Sequence, residues 1–320
     1  MRLIRTLLMY CLPWLAAAAL AQGNSGQNLT IIVPYTPGGS TDIAMRILQP
    51  KLSTLLGQSV VIEYKPGAGG NIGAAYVAKS KPDGNTLLLQ ATIMGMYPHV
   101  YASLPYDPFK DFVAVASMVE SPTVFVVGAS SPYKNMAEMV AEAKRKPGGL
   151  NVASGGTGSP AHLAAEQLGR LNGFKITHIP YKGTAPVFSD LLGGRLDFAS
   201  LSVGAVMAQL QGGQARALVV ASPVRSAIAP DVPTTKEVGL AEMSGGVRFF
   251  LAAPAGTSRS RVNALSAAVD TALQDPDSVQ RLRAAGFDVV RGDPDKTQAM
   301  LQQQFDMWGP IARELKLRAD

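Results

Sequence analysis

A chain of 320 residues with a formal charge of +6 can build one large core or two domains of ordinary size. Its basic excess is scattered: the densest run, Lys144-Arg145-Lys146, closes a predicted helix and favours the helix dipole, so the basic stripe that nucleic acid requires is missing. The single cysteine, Cys11, lies in the N-terminal segment, and a chain without that segment could form no disulfide, zinc–thiolate site or cysteine nucleophile.

In chain order, residues 1–21 read as a secretory signal peptide. Arg2 and Arg5 precede an apolar stretch from Leu7 to Leu20 that ends in Ala19-Leu20-Ala21. That stretch falls short of the ~20 residues of a spanning helix, and no second stretch is long and apolar enough to cross a bilayer. The bulky Tyr10 before Cys11 argues against lipoprotein processing. Cleavage after Ala21 predicts a soluble, exported protein. Removing Arg2 and Arg5 takes the charge from +6 to +4, a balance that suits capture of a small anion.

Beyond residue 22, apolar runs predict strands at 30–34, 60–64, 86–90, 123–128, 150–154, 175–181, 196–201, 215–221 and 248–252. Helical spacing shows over 41–56, 71–79, 136–146, 160–171, 184–192, 260–273 and 295–317. The last helix carries Met300, Leu301, Phe305, Trp308, Ile311, Ala312 and Leu315 on one face, a core stripe and not an aromatic binding box. This alternation implies an α/β fold with largely parallel sheets. The runs 123–128 and 215–221 bracket a βαβαβ block, and turn-rich segments follow both. The reading is a domain over 123–222 inserted into another made of 22–122 plus 223–320, with two extended strands crossing between them. One long sheet of about nine strands is the alternative, and sheets of that size are uncommon.

Three glycine-rich turns each link a strand to a helix: "VPYTPGGSTD" (33–42), "GAGGNIG" (67–73) and "VASGGTGSPAH" (152–162). A helix start offers unpaired N–H groups and a partial positive charge, and glycine lets a ligand approach the backbone closely. Such turns hold carboxylate, phosphate or sulfate. None has the G-x-x-x-x-G-K-[ST] spacing, so the lysine for nucleotide phosphates is missing. "GAGGNIG" is a weak variant of the dinucleotide fingerprint; the following strand ends without an acidic residue for a ribose, and a tight packing turn is the simpler reading. The other two loops fall one in each predicted domain. Facing domains would bring both helix starts to one cleft, with Ser40 and Thr41 on one side and Thr157 and Ser159 on the other. Asp42 reads as a cap of its own helix. For each loop taken alone, a satisfied helix cap is the competing reading.

Catalytic groups are sparse. His99, His162 and His178 lie too far apart for any two to share a helical turn, and H-E-x-x-H and G-x-S-x-G are absent. Ser159 and His162 read as a capping pair. Asp190 and Asp197 flank "LLGGRL", a helix-to-strand turn. No cofactor and no metal are expected, and enzyme activity, such as that of an exported hydrolase, is the lesser alternative.

Taken in order, "IIVPYTPGGSTDIAMRIL", "VVIEYKPGAGGNIGAAYVAKSKPDGNTLLL", "LPYDPFKDF", "SGGTGSPAHLAAE", "IPYKGTAPVFSDLLGGRLDF", "RALVVAS", "DVPTTKEVGL" and "APAGTS" resemble the Bug-type extracytoplasmic solute receptors. These are the substrate-binding subunits of tripartite tricarboxylate transporters. The resemblance spans nearly all of the chain after residue 22. It implies a type II periplasmic-binding-protein fold, two α/β domains joined by crossing strands around a ligand cleft. It also implies a periplasmic location, a small carboxylate ligand and delivery to membrane transporter subunits, a signalling partner being the alternative recipient. We expect a monomer. The carboxylate pincer carries over to Tyr35, Pro37, Gly38, Gly39, Ser40, Thr41 and Asp42 in the first loop. In the second it carries over to Ser154, Gly156, Thr157, Gly158, Ser159 and His162, and "YKGTAP" adds Thr184 and Ala185. For Thr184 the resemblance is the sole ground. The chain departs from the family at "EMSGGVRFFLA", where Gly245, Gly246 and Phe249 stand in place of a W-x-G pattern, so one wall of the cleft is expected to differ.

Overall fold

The computed structural model describes residues 27–156, 159–181, 185–243, 245–314 and 318. The expected signal peptide, Thr157, Gly158 and Thr184 lie outside the described residues, and so does the end of the last predicted helix.

The chain begins with β1 (Leu29–Val33), α1 (Ser40–Leu56), β2 (Val60–Tyr64), α2 (Asn71–Ala78) and β3 (Thr86–Ala91). A short helix α3 (Tyr97–Val100) leads to the long strand β4 (Phe112–Ser121). Then come β5 (Thr123–Gly128), α4 (Met136–Arg145), β6 (Leu150–Ser154), α5 (Pro160–Asn172) and β7 (Ile176–Pro180). They are followed by α6 (Ala185–Leu192), β8 (Phe198–Ser202), α7 (Val203–Gln211) and β9 (Ala215–Val220). The chain closes with β10 (Val247–Pro254), α8 (Arg259–Ala272), α9 (Pro276–Ala284), β11 (Asp288–Gly292) and α10 (Pro294–Glu314).

These strands form two sheets, one ordered β11-β4-β10-β3-β1-β2 and the other β7-β6-β8-β5-β9. Each sheet carries helices, so the molecule is two α/β lobes. The first lobe's core gathers Ile31, Leu48, Leu88, Phe250 and Leu265. The second lobe has a core on either face of its sheet, around Met139, Leu168 and Phe198 on one and Val187, Leu191 and Val206 on the other. Leu163 of α5 packs with the first lobe's core, so the lobes touch.

The sheets are mixed, which corrects the expectation of largely parallel pairing. β1 runs parallel to β2 and β3, and β6 runs parallel to β7 and β8. Against them, β10 is antiparallel to β3 and β4, β11 to β4, and β5 to β8 and β9. The cause is connectivity. A parallel neighbour needs a crossover, usually a helix. β4 passes straight into β5 through Pro122 alone, leaving one sheet and entering the other with no helix between. The loops that matter leave the carboxyl ends of parallel strands, β1 into α1 and β6 into α5, where α/β sheets place ligands.

Candidate functional site

A cavity of about 560 Å³ lies between the lobes, a volume in the range of small-molecule sites. Tyr35, Gly39, Ser40 and Thr41 reach it from the first loop, and Gly155, Gly156 and Ser159 from the second.

In the first loop, Gly38 turns the chain at φ +83° and Gly39 follows in an extended conformation as the N-cap of α1. Glycine offers no side-chain cap, and the first helical bond runs from Ile43 N–H to Gly39 O. The N–H groups of Ser40, Thr41 and Asp42 therefore have no intrahelical acceptor. Asp42 faces the other way. Its carboxylate accepts the Gly38 N–H at 2.8 Å, the Tyr64 hydroxyl at 2.6 Å and Arg46 Nε at 2.8 Å. Burial works to raise its pKa, but the Tyr64 and Gly38 hydrogen bonds and the Arg46 charge outweigh it and hold the carboxyl below the ordinary range. Asp42, Pro37 and Gly38 do not line the cavity; they shape the loop that does.

The second loop also runs from a strand into a helix start, but a side chain caps that helix. Ser154, fully buried at the end of β6, shares a hydrogen bond with His178 Nε2 at 2.8 Å and donates to Gly156 O at 3.1 Å. Ser159 caps α5 by accepting the His162 N–H at 3.2 Å, with Pro160 as the first helical residue. His162 is buried, stacks on His178 with ring centroids 3.7 Å apart, and sets Nε2 3.5 Å from Glu166 Oε1. Ser154 and His162 thus stand behind the lining. Ala185 opens α6, on the segment that resemblance alone had singled out. The Ser154–His178 contact has the atoms of a serine–histidine pair, but Ser154 has no exposed surface and its hydroxyl is spent on the loop. Among the described residues, no group of three His, Cys, Asp or Glu could hold a metal ion.

Burial, reinforced by neighbouring His162, pushes the His178 pKa down to about 4. The unfolded chain then binds this proton more readily than the folded one between pH 6.5 and 4. Stability is expected to fall as pH drops through that window. A thermal-melt series from pH 7.5 to 4.5 should show a shallower decline for His178→Gln; equal slopes would remove His178 as the cause.

The remaining glycine turn, 67–73, packs a helix against the sheet and also reaches the cavity at Gly69. Gly67, Gly69 and Gly70 all have positive φ, and Gly69 O accepts the Tyr97 hydroxyl at 2.8 Å. A Cβ at Gly73 would stand 2.7 Å from Pro34 Cβ, so glycine there lets α2 close on the end of β1. Within the altered family segment, a Cβ at Gly245 would meet Ala164 Cβ at 2.9 Å, and one at Gly246 would collide with the Glu120 carboxylate. Both glycines serve close packing beside the interlobe strands.

Sequence reasoning missed most of the walls. Ile93, Met96, Tyr97, Val100 and Tyr101 come from the segment after β3, Leu163 from α5, and Val247 from β10 beside Phe249. Tyr35 donates its hydroxyl to Gln90 Oε1, and burial raises the pKa of Tyr35 and Tyr97 so that both stay protonated at neutral pH.

Comparison with known proteins adds to this geometry. Residues 44–317 match the model of the tripartite tricarboxylate transporter family receptor. The chain is 34% identical over 302 residues to Protein BugT of Bordetella pertussis, covering 94% of this chain and 93% of BugT. MatC from Rhodopseudomonas palustris, solved with bound malate, has TM-score 0.77 and 32% identity over 89% of this chain and 99% of its own. Another R. palustris protein, solved with adipate, has TM-score 0.83 and 30% identity over 92% of this chain and 99% of its own.

Proposed function

Because the chain belongs to the tripartite tricarboxylate transporter receptor family, we propose that it captures a small carboxylate between its lobes and hands it to membrane transport subunits. One observation carries the reading: two loops from different sheets meet on one cavity, and one of them presents a helix start with unspent N–H groups. The N–H groups of Ser40 and Thr41, with their hydroxyls, hold one side of the carboxylate. Ser159 and the backbone at Gly156 hold the other, completed by Thr157, Gly158, Thr184 and Ala185. The lobes are 22–122 with 223–320, and 123–222. The protein works as a monomer in the periplasm after cleavage at Ala21, and it carries out no chemistry on its ligand.

The energetics suffice without an arginine in the pincer. Hydrogen bonds to a charged group contribute about 1.5–3 kcal/mol each. Four of them at the upper end of that range, less about 4 kcal/mol for immobilising the ligand, reach about −8 kcal/mol, or micromolar affinity. Malate and adipate, held by the two relatives, are both carboxylates.

The test is a thermal-shift screen of the chain from Gln22 against carboxylic acids and their matched amides. A binding acid at a hundredfold excess over its Kd is expected to raise the melting temperature by roughly 4 °C. Its amide lacks the charge and should leave the transition where it was. Equal stabilisation by acid and amide would refute a carboxylate pincer.

A further inference from the structure

We propose that the cleft selects a monocarboxylate with an aromatic body over a dicarboxylate. The proposal rests on the carboxylate-receptor reading and concerns the part of the ligand that the pincer does not hold.

Beyond the two loops, the wall among the described residues is mostly carbon: Ile93, Met96, Val100, Leu163, Val247 and Phe249, with Ala91 and the backbone of Gly69. Three tyrosine rings complete it; the O–H groups of Tyr35 and Tyr97 are committed, and that of Tyr101 makes only a long, exposed contact. Tyr35 donates to Gln90 Oε1, Tyr97 to Gly69 O at 2.8 Å, and Tyr101 to Ala68 O at 3.5 Å. Gln90 Nε2 is a buried nitrogen without a partner, but it abuts Gly70, and Gln90 does not line the cavity. Arg318 is the one charged residue among the described lining, and it is exposed, where an ion pair contributes little.

A second carboxylate placed against this wall would lose its water and find few donors in return, which is strongly unfavourable. An aromatic ring there would bury apolar surface and meet Tyr35, Tyr97, Tyr101 and Phe249 in the stacked or edge-on contacts that rings favour. Malate and adipate carry a carboxylate at each end, so the proposal separates this chain from the two relatives solved with them.

Isothermal titration of the chain from Gln22 tests the preference. The probes are benzoate, phenylacetate and 3-phenylpropanoate against malate and adipate, with cyclohexanecarboxylate and phenylacetamide as controls. At least one aryl acid is expected to bind tenfold or more tightly than either dicarboxylate, a difference of about 1.4 kcal/mol. It should also outbind cyclohexanecarboxylate. Val247→Arg, which brings a cation to the wall, is expected to shift the ratio at least tenfold toward the dicarboxylates. Dicarboxylates binding as tightly as the aryl acids, or tighter, would overturn the proposal and leave the receptor reading standing. So would adipate affinity that collapses in Arg318→Ala, since that would give the second carboxylate a partner. Equal binding of cyclohexanecarboxylate would overturn the aromatic preference. Binding of phenylacetamide as tight as phenylacetate, or no binding by any acid, would refute the receptor reading and the proposal with it.

Discussion

Gly39→Val is expected to abolish carboxylate binding, with a loss of at least a hundredfold in affinity, while the unliganded protein melts within about 2 °C of the wild type. The two halves of this expectation have separate causes. Gly39 sits at φ −77° and ψ 171°, which any residue adopts, and a Cβ there meets only Thr36 O at 3.6 Å. The fold therefore tolerates the side chain. The ligand does not, because Gly39 lines the cavity at the start of α1, and an isopropyl group there stands between the carboxylate and the N–H groups of Ser40 and Thr41. Losing two charge-assisted hydrogen bonds at about 1.5–3 kcal/mol each accounts for a hundredfold or more. Gly38→Val is the informative contrast. Gly38 has φ +83°, so a β-branched residue strains the backbone and stability should fall as well. Titration calorimetry on the acid that stabilises the wild type, beside melting curves without ligand, separates the two variants. Retained affinity in Gly39→Val would move the anion site away from α1.

The first loop was legible in the sequence because its chemistry is local. Two glycines, an apolar strand before them and an acidic residue in the first helical turn lie within fourteen residues, Leu29 to Asp42. The same holds for the second loop, where Ser159 and Pro160 announce the start of α5. Elements whose identity depends on distant partners were not legible. β4 reads "FVAVASMVES", with alanine and serine diluting its pattern, yet it is buried almost throughout because β10 and β11 flank it within the sheet and α8 and α10 pack against it. β11 has only two large apolar residues, Val289 and Val290, and forms an edge of its sheet. α7 begins at Val203, directly after β8 ends at Ser202, so one apolar run contains both a strand and a helix with no turn residue to divide them. α9 carried a usable signal: Asp275 accepts the Ser278 N–H at 3.1 Å and Pro276 is the first helical residue. Its apolar content, Val279 and Leu282, was too small to bring that cap to notice. The cleft walls are the extreme case. Tyr97, Leu163 and Val247 face one cavity across some 150 residues of chain, and no spacing rule encodes that.

Asp42→Asn is expected to lower stability by about 2–3 kcal/mol and ligand affinity by about ten- to a hundredfold, although Asp42 does not line the cavity. The carboxylate accepts three hydrogen bonds, from the Gly38 N–H, the Tyr64 hydroxyl and Arg46 Nε. An asparagine has one acceptor oxygen and turns an NH₂ group toward donors on its other side, so at least one buried donor is left facing another. A lost hydrogen bond to a charged group accounts for the stability figure; the Arg46 contribution is small because that guanidinium is largely exposed. Affinity suffers because the Gly38 N–H bond sets the path by which Gly39 and the start of α1 meet the cleft. The pH dependence distinguishes this account from a simple packing defect. The folded pKa of Asp42 is depressed, so its contribution is complete above the unfolded value near 4 and is lost as pH falls through the folded value. The stability gap between wild type and Asp42→Asn, measured by chemical denaturation, should therefore be widest near neutral pH and narrow below about pH 4. A gap that stays constant down to pH 3 would mean that the Asp42 charge does not hold the loop.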